Sequence, residues 1–135
     1  MDAPESDQLC RGDDSELYRC GQKAAAALAG LFYAIPRPVI CAPKDRDQYG
    51  RTVAVCKIGD PGPNIAHWMV TNGHALDWPR YSRGEYAAAQ RRAEGASAGM
   101  WAGSFSRAMA ISVVYPGRRK AFRVFGQGTR PMIRL

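Results

Sequence analysis

Residues 45–56 read Asp-Arg-Asp-Gln-Tyr-Gly-Arg-Thr-Val-Ala-Val-Cys, and they predict a turn that leads into a β-strand. From residue 51 to residue 58 the side chains alternate between two faces, as they do in a half-buried strand. The charged residues 44–50 end in a glycine, which is typical of a turn. A short β-branched run at residues 38–41 precedes the turn. The two runs together predict a β-hairpin.

Helical patterns flank this hairpin on both sides. Ser15 precedes an apolar stripe with helical spacing and predicts a helix start, while Pro36 predicts its end. Asn64 predicts the N-cap of a short second helix that stops at Gly73. Residues 84–98 predict a third helix. The first stripe contains Leu17, Gly21, Ala24, Leu28 and Leu31, and the third helix turns Tyr86, Ala89 and Ala93 inward.

Two strands and three helices predict a fold of the α+β class. Two strands are too few for a stable sheet on their own, so further strands are expected. Residues 111–115 and 121–125 are candidates, separated by Pro116 and Gly117. The pattern there is too weak to assign structure.

The composition indicates a globular domain without a membrane span. A chain of 135 residues with 46% hydrophobic and 23% charged residues is typical of one globular domain and argues against general disorder. The mostly apolar stretch at residues 24–35 is too short to cross a bilayer, so no membrane span is expected. Because the acidic residues Asp2 and Glu5 follow Met1 closely, the sequence predicts no secretory leader.

The net charge of +7 belongs to the C-terminal residues 106–135. They hold seven of the 19 Lys and Arg residues and none of the 12 Asp and Glu residues, while the rest of the chain is balanced. A basic tail can bind a polyanion such as nucleic acid. A solvated C-terminus is the alternative interpretation.

The four cysteines leave two interpretations open. Cys41 and Cys56 flank the predicted hairpin and can face each other across it, and Cys10 and Cys20 bracket a short loop. That pairing would suit an exported protein. Four reduced, partly buried thiols in a cytosolic protein fit the spacing equally well. The chain has no CxxC pair and only two histidines, so zinc-ligand spacing is absent.

Two short motifs contain side chains that can bind a cation or a phosphate, while a solvated N-terminus and a hairpin turn with an exposed arginine are the alternative interpretations. Asp2 and Glu5 flank Ala3-Pro4, and paired carboxylates can hold a hard cation and activate water. In Tyr49-Gly50-Arg51 the glycine permits a tight turn, which can present a guanidinium to a phosphate.

Taken in order along the chain, these motifs resemble the thermonuclease family, which has the staphylococcal-nuclease-like domain. The resemblance covers about residues 1–105 and is carried by the following segments: D-A-P-E (2–5), Y-R-C-G-Q-K-A (18–24), D-R-D-Q-Y-G-R-T-V-A-V-C (45–56), I-A-H-W-M-V-T-N-G-H-A-L (65–76), Y-S-R-G-E-Y-A-A-A-Q-R-R-A-E (81–94) and G-M-W-A-G (99–103). It predicts a partial thermonuclease-like domain at residues 1–105 and a basic tail at residues 106–135.

The resemblance implies an OB-fold-type β-barrel with packed helices and a Ca2+-dependent phosphodiesterase. By the matching motifs, Asp2 is a Ca2+ ligand through its carboxylate and Ala3 is one through its carbonyl. Glu5 is the general base on the attacking water, and Arg51 stabilises the phosphate and protonates the leaving oxygen.

The implied substrate is single-stranded DNA or RNA. Tyr49 would lie against a phosphate, and Tyr81 or Trp78 would stack on a base, as aromatic side chains do in single-strand sites.

The resemblance also implies a departure from the family pattern. In the family, strands that carry a second Ca2+ aspartate and a phosphate-binding arginine precede the D-x-P-E motif. We therefore expect this chain to lack the first strands and, as written, to cleave poorly or not at all. An upstream signal peptide would imply a periplasmic or secreted protein, and its absence a cytoplasmic one.

The sequence leaves three functional hypotheses. The first is a nuclease. The second is a catalytically inactive domain that binds nucleic acid through the tail and the loop at residues 78–81. The third is a protein-interaction domain whose hairpin edge pairs with a partner strand. Nothing in the sequence identifies a protein partner.

Overall fold

A computed structural model describes residues 1–103. The basic tail at residues 106–135, with the candidate strands at 111–115 and 121–125, lies outside the described residues. The elements are β1 (Cys10–Arg11), β2 (Leu17–Tyr18), α1 (Cys20–Ala34), β3 (Val39–Arg46), β4 (Thr52–Ile58), α2 (Ile65–Thr71), α3 (Pro79–Ser82), α4 (Ala87–Gly95) and a 3-10 helix (Gly99–Ala102).

The predicted hairpin is confirmed, because β3 and β4 form an antiparallel pair in which Val39 lies opposite Ile58. β3 is longer than the sequence pattern indicated. Pairing continues past a bulge at Lys44 as far as Arg46, which lies opposite Thr52. The charges on these residues do not end the strand, since all eight residues of β3 are exposed to solvent.

One face of β4 supplies the hairpin's part of the core. Cys56 and Ile58 are buried there, and Ala54 packs beside them. α1, α2 and α4 contribute the rest of this core, and Met1 and Ala3 pack against its edge. The fully or nearly buried residues of this cluster are Ala24, Leu31, Cys56, Ile58, Ile65, Ala66, Met69, Val70, Ala75, Tyr86 and Ala89.

α1 begins at Cys20 rather than at Ser15, so the predicted start is wrong. Ser15 lies in the turn between β1 and β2, with a φ of 65°, and its N–H donates to the Gly12 carbonyl. Leu17 pairs in β2 and is 45% exposed, so it is not part of the helical stripe. The pairing of β1 with β2 therefore determines the structure of this segment, although its apolar residues have helical spacing.

The second helix starts as predicted, because the Asn64 side chain accepts a hydrogen bond from the N–H of His67 at 3.0 Å. The third helix is shorter than predicted and covers only α4. Arg83 and Gly84 have left-handed φ values of 55° and 81°, which interrupt a helix before Ala87. The preceding loop contains the single turn α3, which starts at a proline.

The described residues form an α+β fold, as predicted. Their strands form two separate two-stranded sheets, β1–β2 and β3–β4. The OB-fold-type barrel belongs to the expectation from the resemblance, and its closure is not shown within residues 1–103. Among the described helices, none is both long and apolar enough to cross a membrane.

Candidate functional site

A buried aspartate organises the turn between β3 and β4. Asp47 Oδ1 accepts hydrogen bonds from the N–H groups of Tyr49 and Arg51, at 2.9 and 3.0 Å. The N–H of Asp47 donates to the Arg51 carbonyl at 2.9 Å, which closes the turn. Gly50 has a φ of 77°, a conformation that side chains with a Cβ rarely adopt. The turn therefore fixes where the Arg51 side chain leaves the backbone.

The same aspartate also holds the guanidinium of Arg51. Nε donates to Asp47 Oδ2 at 2.6 Å, and the Asp47 side chain is only 1% exposed. Burial alone would raise the pKa of the Asp47 carboxyl, but the hydrogen bonds from the N–H groups of Arg51 and Tyr49 and the charge of Arg51 outweigh it. The pKa is therefore lowered from its ordinary value. The carboxylate stays ionised at neutral pH and keeps the arginine in place.

The far end of the guanidinium is a buried donor without an acceptor in residues 1–103. Arg51 Nη2 is shielded from solvent and has no hydrogen-bond partner among the described residues. Leaving a buried charged donor unpaired is costly, so such an atom calls for an acceptor. The Arg51 guanidinium carbon also lies 4.9 Å from the centre of the Tyr49 ring, whose residue is 52% exposed. A planar cation beside an exposed phenol suits a phosphate oxyanion.

The acidic motif at the start of the chain is anchored by its backbone. The N–H and the C=O of Asp2 each bond to Leu76 at 2.8 Å, which places Asp2 against the loop after α2. The Glu5 N–H donates to Gln8 Oε1 at 3.1 Å, and the Gln8 N–H donates to the Glu5 carbonyl at 2.9 Å. Glu5 is exposed. This turn fixes the Glu5 backbone and leaves its carboxylate facing solvent.

A close approach between α1 and this turn sets the position of Glu5. A Cβ at Gly21 would overlap the Glu5 carbonyl oxygen, so only glycine allows the contact. The Gly21 N–H also donates to the carbonyl of Gln8, at 3.3 Å. The first turn of α1 thereby supports the general base assigned by the resemblance.

The described residues do not by themselves form a calcium site. The expected ligands are the Asp2 carboxylate and the Ala3 carbonyl, while calcium takes about six to eight oxygen ligands. Within residues 1–103 no group of three or more His, Cys, Asp and Glu side chains is arranged to hold a metal ion.

The aromatic residues expected to bind a base lie together around α3. The Trp78 and Tyr81 rings meet edge to face, with their centres 5.0 Å apart. The guanidinium carbon of Arg80 lies 5.6 Å from the centre of the Tyr81 ring. Both aromatic residues are half-buried and Arg80 is exposed, so the segment combines ring surface with a positive charge.

The structure contains two disulfides, Cys10–Cys20 and Cys41–Cys56. These are the pairs that one of the two sequence interpretations put together. The first ties β1 to the start of α1, and the second joins opposite residues of β3 and β4. The second bond therefore links the two strands that carry the Asp47 turn.

The structure brings some of the predicted site residues together and not others. Tyr49 lies against Arg51, and Trp78 lies against Tyr81. Glu5 and Arg51 make no hydrogen bond or ion pair with each other in the described part of the chain.

Sequence reasoning missed the residues that hold the site residues in place. Asp47 precedes Arg51 by four positions across a Gly-containing turn, and that spacing was the available signal. Gln90 accepts a hydrogen bond from the N–H of Asp77, which precedes Trp78. It lies on the inward face of α4 between apolar residues, and a polar residue at such a position was a second signal. Gly21 carried no signal, because its contact with Glu5 exists only in the tertiary structure.

Comparisons with known proteins identify the family of the chain. Residues 1–103 match the family described as Staphylococcal nuclease homologue. The chain is also similar to the Succinoglycan biosynthesis protein ExoI of Rhizobium meliloti (strain 1021), with 37% identity over 113 residues. That alignment covers 84% of this chain and 58% of ExoI, so the chain spans less than two thirds of this relative's length. The chain belongs to the staphylococcal nuclease homologue family.

Proposed function

We propose that this chain has the phosphodiester-hydrolysing chemistry of its family and acts on nucleic acid, weakly as written, with Arg51 as the residue that binds the scissile phosphate. The observation that carries this proposal is the state of the Arg51 guanidinium. One edge is fixed by the buried Asp47, while Nη2 lacks a partner among the described residues. A guanidinium held in advance can stabilise charge that develops on a phosphate without reorganising during the reaction.

Glu5 is proposed as the general base. Its exposed carboxylate can accept a proton from a water molecule, whose oxygen then attacks phosphorus as the P–O bond to the leaving group breaks and the leaving oxygen takes a proton from solvent. Arg51 is proposed to stabilise the charge on the phosphate oxygens during this step. Because the two residues make no hydrogen bond or ion pair with each other within residues 1–103, the substrate is proposed to bind between them.

The aromatic residues around α3 support nucleic acid as the substrate class. Trp78 and Tyr81 offer ring surface for a base, and Arg80 offers a charge for the backbone. Stacking on an aromatic ring serves every base, so the proposed substrate is single-stranded DNA or RNA.

Calcium is proposed as the cofactor because the chain belongs to this family. Asp2 and Ala3 would supply two of its oxygen ligands, and calcium would neutralise negative charge around the phosphate. Further ligands would have to come from water, substrate or other residues. Chelation by EGTA followed by addition of Ca2+ tests this assignment separately from the role of Arg51.

The decisive experiment measures cleavage of a fluorescently labelled single-stranded oligonucleotide. We expect Arg51→Ala to lower kcat by about 100- to 1000-fold, as removal of one preorganised donor to a transition state does. Arg19→Ala is the matched control, because Arg19 is exposed and lies between β2 and α1, outside the turn that holds Arg51. Equal rates for Arg51→Ala and wild type would contradict the proposal.

A protein-interaction role is the second candidate, and the exposure of β3 favours it. All eight β3 residues are exposed, and Val39 and Ile40 are 44% and 52% exposed. In residues 1–103 the strand pairs only with β4, so its other edge has backbone groups that a partner strand can use. Co-purification of a protein that no longer binds the Ile40→Lys variant would support this role. A monomeric protein with nuclease activity would argue against it.

A further inference from the structure

A chain of hydrogen bonds ties the aromatic segment, defined as Trp78–Tyr81, to α4. The N–H of Asp77, just before this segment, donates to Gln90 Oε1 at 2.8 Å. The Ser82 hydroxyl, just after it, donates to Asp77 Oδ1 at 2.5 Å and accepts from the Gly84 N–H at 3.0 Å. The two ends of the aromatic segment are therefore bonded to each other and to one helix.

Gln90 is the link that connects this segment to the body of the protein. Its residue is only 7% exposed, and its Nε2 donates to Glu94 Oε1 at 3.1 Å, one turn further along α4. The bond to Glu94 orients the carboxamide so that its oxygen points toward the Asp77 N–H. Buried polar side chains with both groups satisfied fix a unique arrangement, since the alternative leaves polar atoms unpaired.

By itself α3 is a short element. It is a single turn of four residues with no side-chain cap and no buried residue. A helix of that length is unstable by itself. The hydrogen bonds of Asp77 and Ser82 at the ends of the segment therefore help to hold the Trp78 and Tyr81 rings in position.

We propose that Gln90 and Ser82 are positioning residues that hold the aromatic segment in its nucleic-acid-binding arrangement. The inference rests on the proposed function and adds to it the residues that position the aromatic segment. Gln90 fixes the segment to α4 through the Asp77 N–H, and Ser82 joins the two ends of the segment through the Asp77 carboxylate. Neither residue needs to touch the substrate. Their effect is on binding, because a segment ordered before binding loses less entropy when a base stacks on it.

Gln90→Met tests the tie directly. Methionine has a similar length and suits a buried position, but it leaves the Asp77 N–H and Glu94 without their partner. We expect the Kd for a labelled oligothymidylate, read by fluorescence anisotropy, to rise about tenfold, within the range that loss of one stacked base gives. KM should rise by a similar factor, and kcat should change less. Gln22→Met, on the exposed surface of α1, is the matched control.

Ser82 provides a rescue test. Ser82→Ala removes the hydroxyl that bonds to Asp77 and should weaken oligonucleotide binding, while Ser82→Thr keeps the hydroxyl and should restore it. Amide hydrogen exchange on the free protein gives a second readout. Residues 77–84 should exchange faster in Gln90→Met and Ser82→Ala, while the amides of α2 keep their wild-type protection.

The outcomes separate this inference from the proposed function. If Tyr81→Ala weakens oligonucleotide binding while Gln90→Met and Ser82→Ala bind as wild type does, the positioning role is wrong and the aromatic site stands. If wild type binds without cleaving, and Gln90→Met weakens that binding, the positioning role holds and the phosphodiesterase proposal fails. If Tyr81→Ala and Trp78→Ala both bind as wild type does, the aromatic site and the positioning role are both wrong.

Discussion

Asp47 holds Arg51 at three points of one turn. The Arg51 Nε reaches Asp47 Oδ2 at 2.6 Å, the Arg51 N–H reaches Oδ1 at 3.0 Å, and the Asp47 N–H reaches the Arg51 carbonyl at 2.9 Å. The carboxylate thus fixes both the backbone and the guanidinium of the arginine. The position of the Arg51 guanidinium, the proposed phosphate-binding group, therefore depends on Asp47.

Asp47→Asn should lower cleavage strongly while the hairpin still forms. The asparagine oxygen can accept from the two turn N–H groups, but its NH2 group cannot accept from Arg51 Nε. We expect kcat to fall by about 100-fold, which is what misplacement of a catalytic group by about 1 Å can cost. Steady-state cleavage of a labelled oligonucleotide measures this. Asp45→Asn is the control, because Asp45 is exposed and lies two positions before Asp47, at the end of β3. Wild-type kcat in Asp47→Asn would contradict the positioning role of Asp47.

The stability of the protein should depend on Asp47 at acidic pH. Because the folded-state pKa of Asp47 lies below its ordinary value of 3.8, the unfolded chain binds the proton more readily. The ionised carboxylate therefore adds stability above pH 3.8, and this contribution is lost as pH falls through the lower folded-state pKa. Urea unfolding across pH 2–6 measures it. The gap in the free energy of unfolding between wild type and Asp47→Asn should be constant above about pH 5 and narrow below the ordinary pKa of an aspartate. A gap that stays constant throughout would contradict the lowered pKa.

Two glycines of α1 should respond to alanine in opposite directions. Gly21→Ala places a methyl group on the Glu5 carbonyl and should destabilise the fold by about 1–3 kcal/mol, as overpacking does. Gly30 has open space around it, so Gly30→Ala should stabilise the helix by about 0.5–1 kcal/mol. Chemical unfolding measures both. If Gly21→Ala were as stable as Gly30→Ala, the close contact between α1 and Glu5 would be wrong.

The two disulfides should differ in how readily a thiol opens them. Cys41 lies in the fully exposed strand β3, whereas Cys10 and Cys20 are only 8% and 1% exposed. Thiol–disulfide exchange requires access to a sulfur atom, so mild dithiothreitol should open Cys41–Cys56 first. Alkylation and peptide mapping over time measure the order. Earlier labelling of Cys10 or Cys20 would contradict it.

Loss of the hairpin disulfide should also cost stability. The bond closes a loop with a sequence separation of 15, and cross-linking such a loop contributes about 3 kcal/mol. Thermal unfolding of the Cys41→Ser, Cys56→Ser double variant measures this. A melting temperature equal to that of wild type would show that the pairing of β3 with β4 needs no cross-link.

Much of the fold could be predicted because its signals are local. The alternation in β4, the glycine of the turn and the Asn64 cap each depend on a few neighbouring residues, and each prediction is confirmed. The start of α1 could not be predicted in this way. The helical spacing ran back to Leu17, but pairing of β1 with β2 took that residue into a strand.

The sequence by itself determined the hairpin, the α+β class and the family, because these depend on the order and spacing of residues along the chain. Only the tertiary structure decided what holds the candidate site. Gly21 meets Glu5 across 16 positions of the chain, and Gln90 meets Asp77 across 13. Such contacts depend on how helices pack against loops. Each requires a residue of the right shape or hydrogen-bonding group at the place where two distant segments meet. A pattern along the chain does not contain that information.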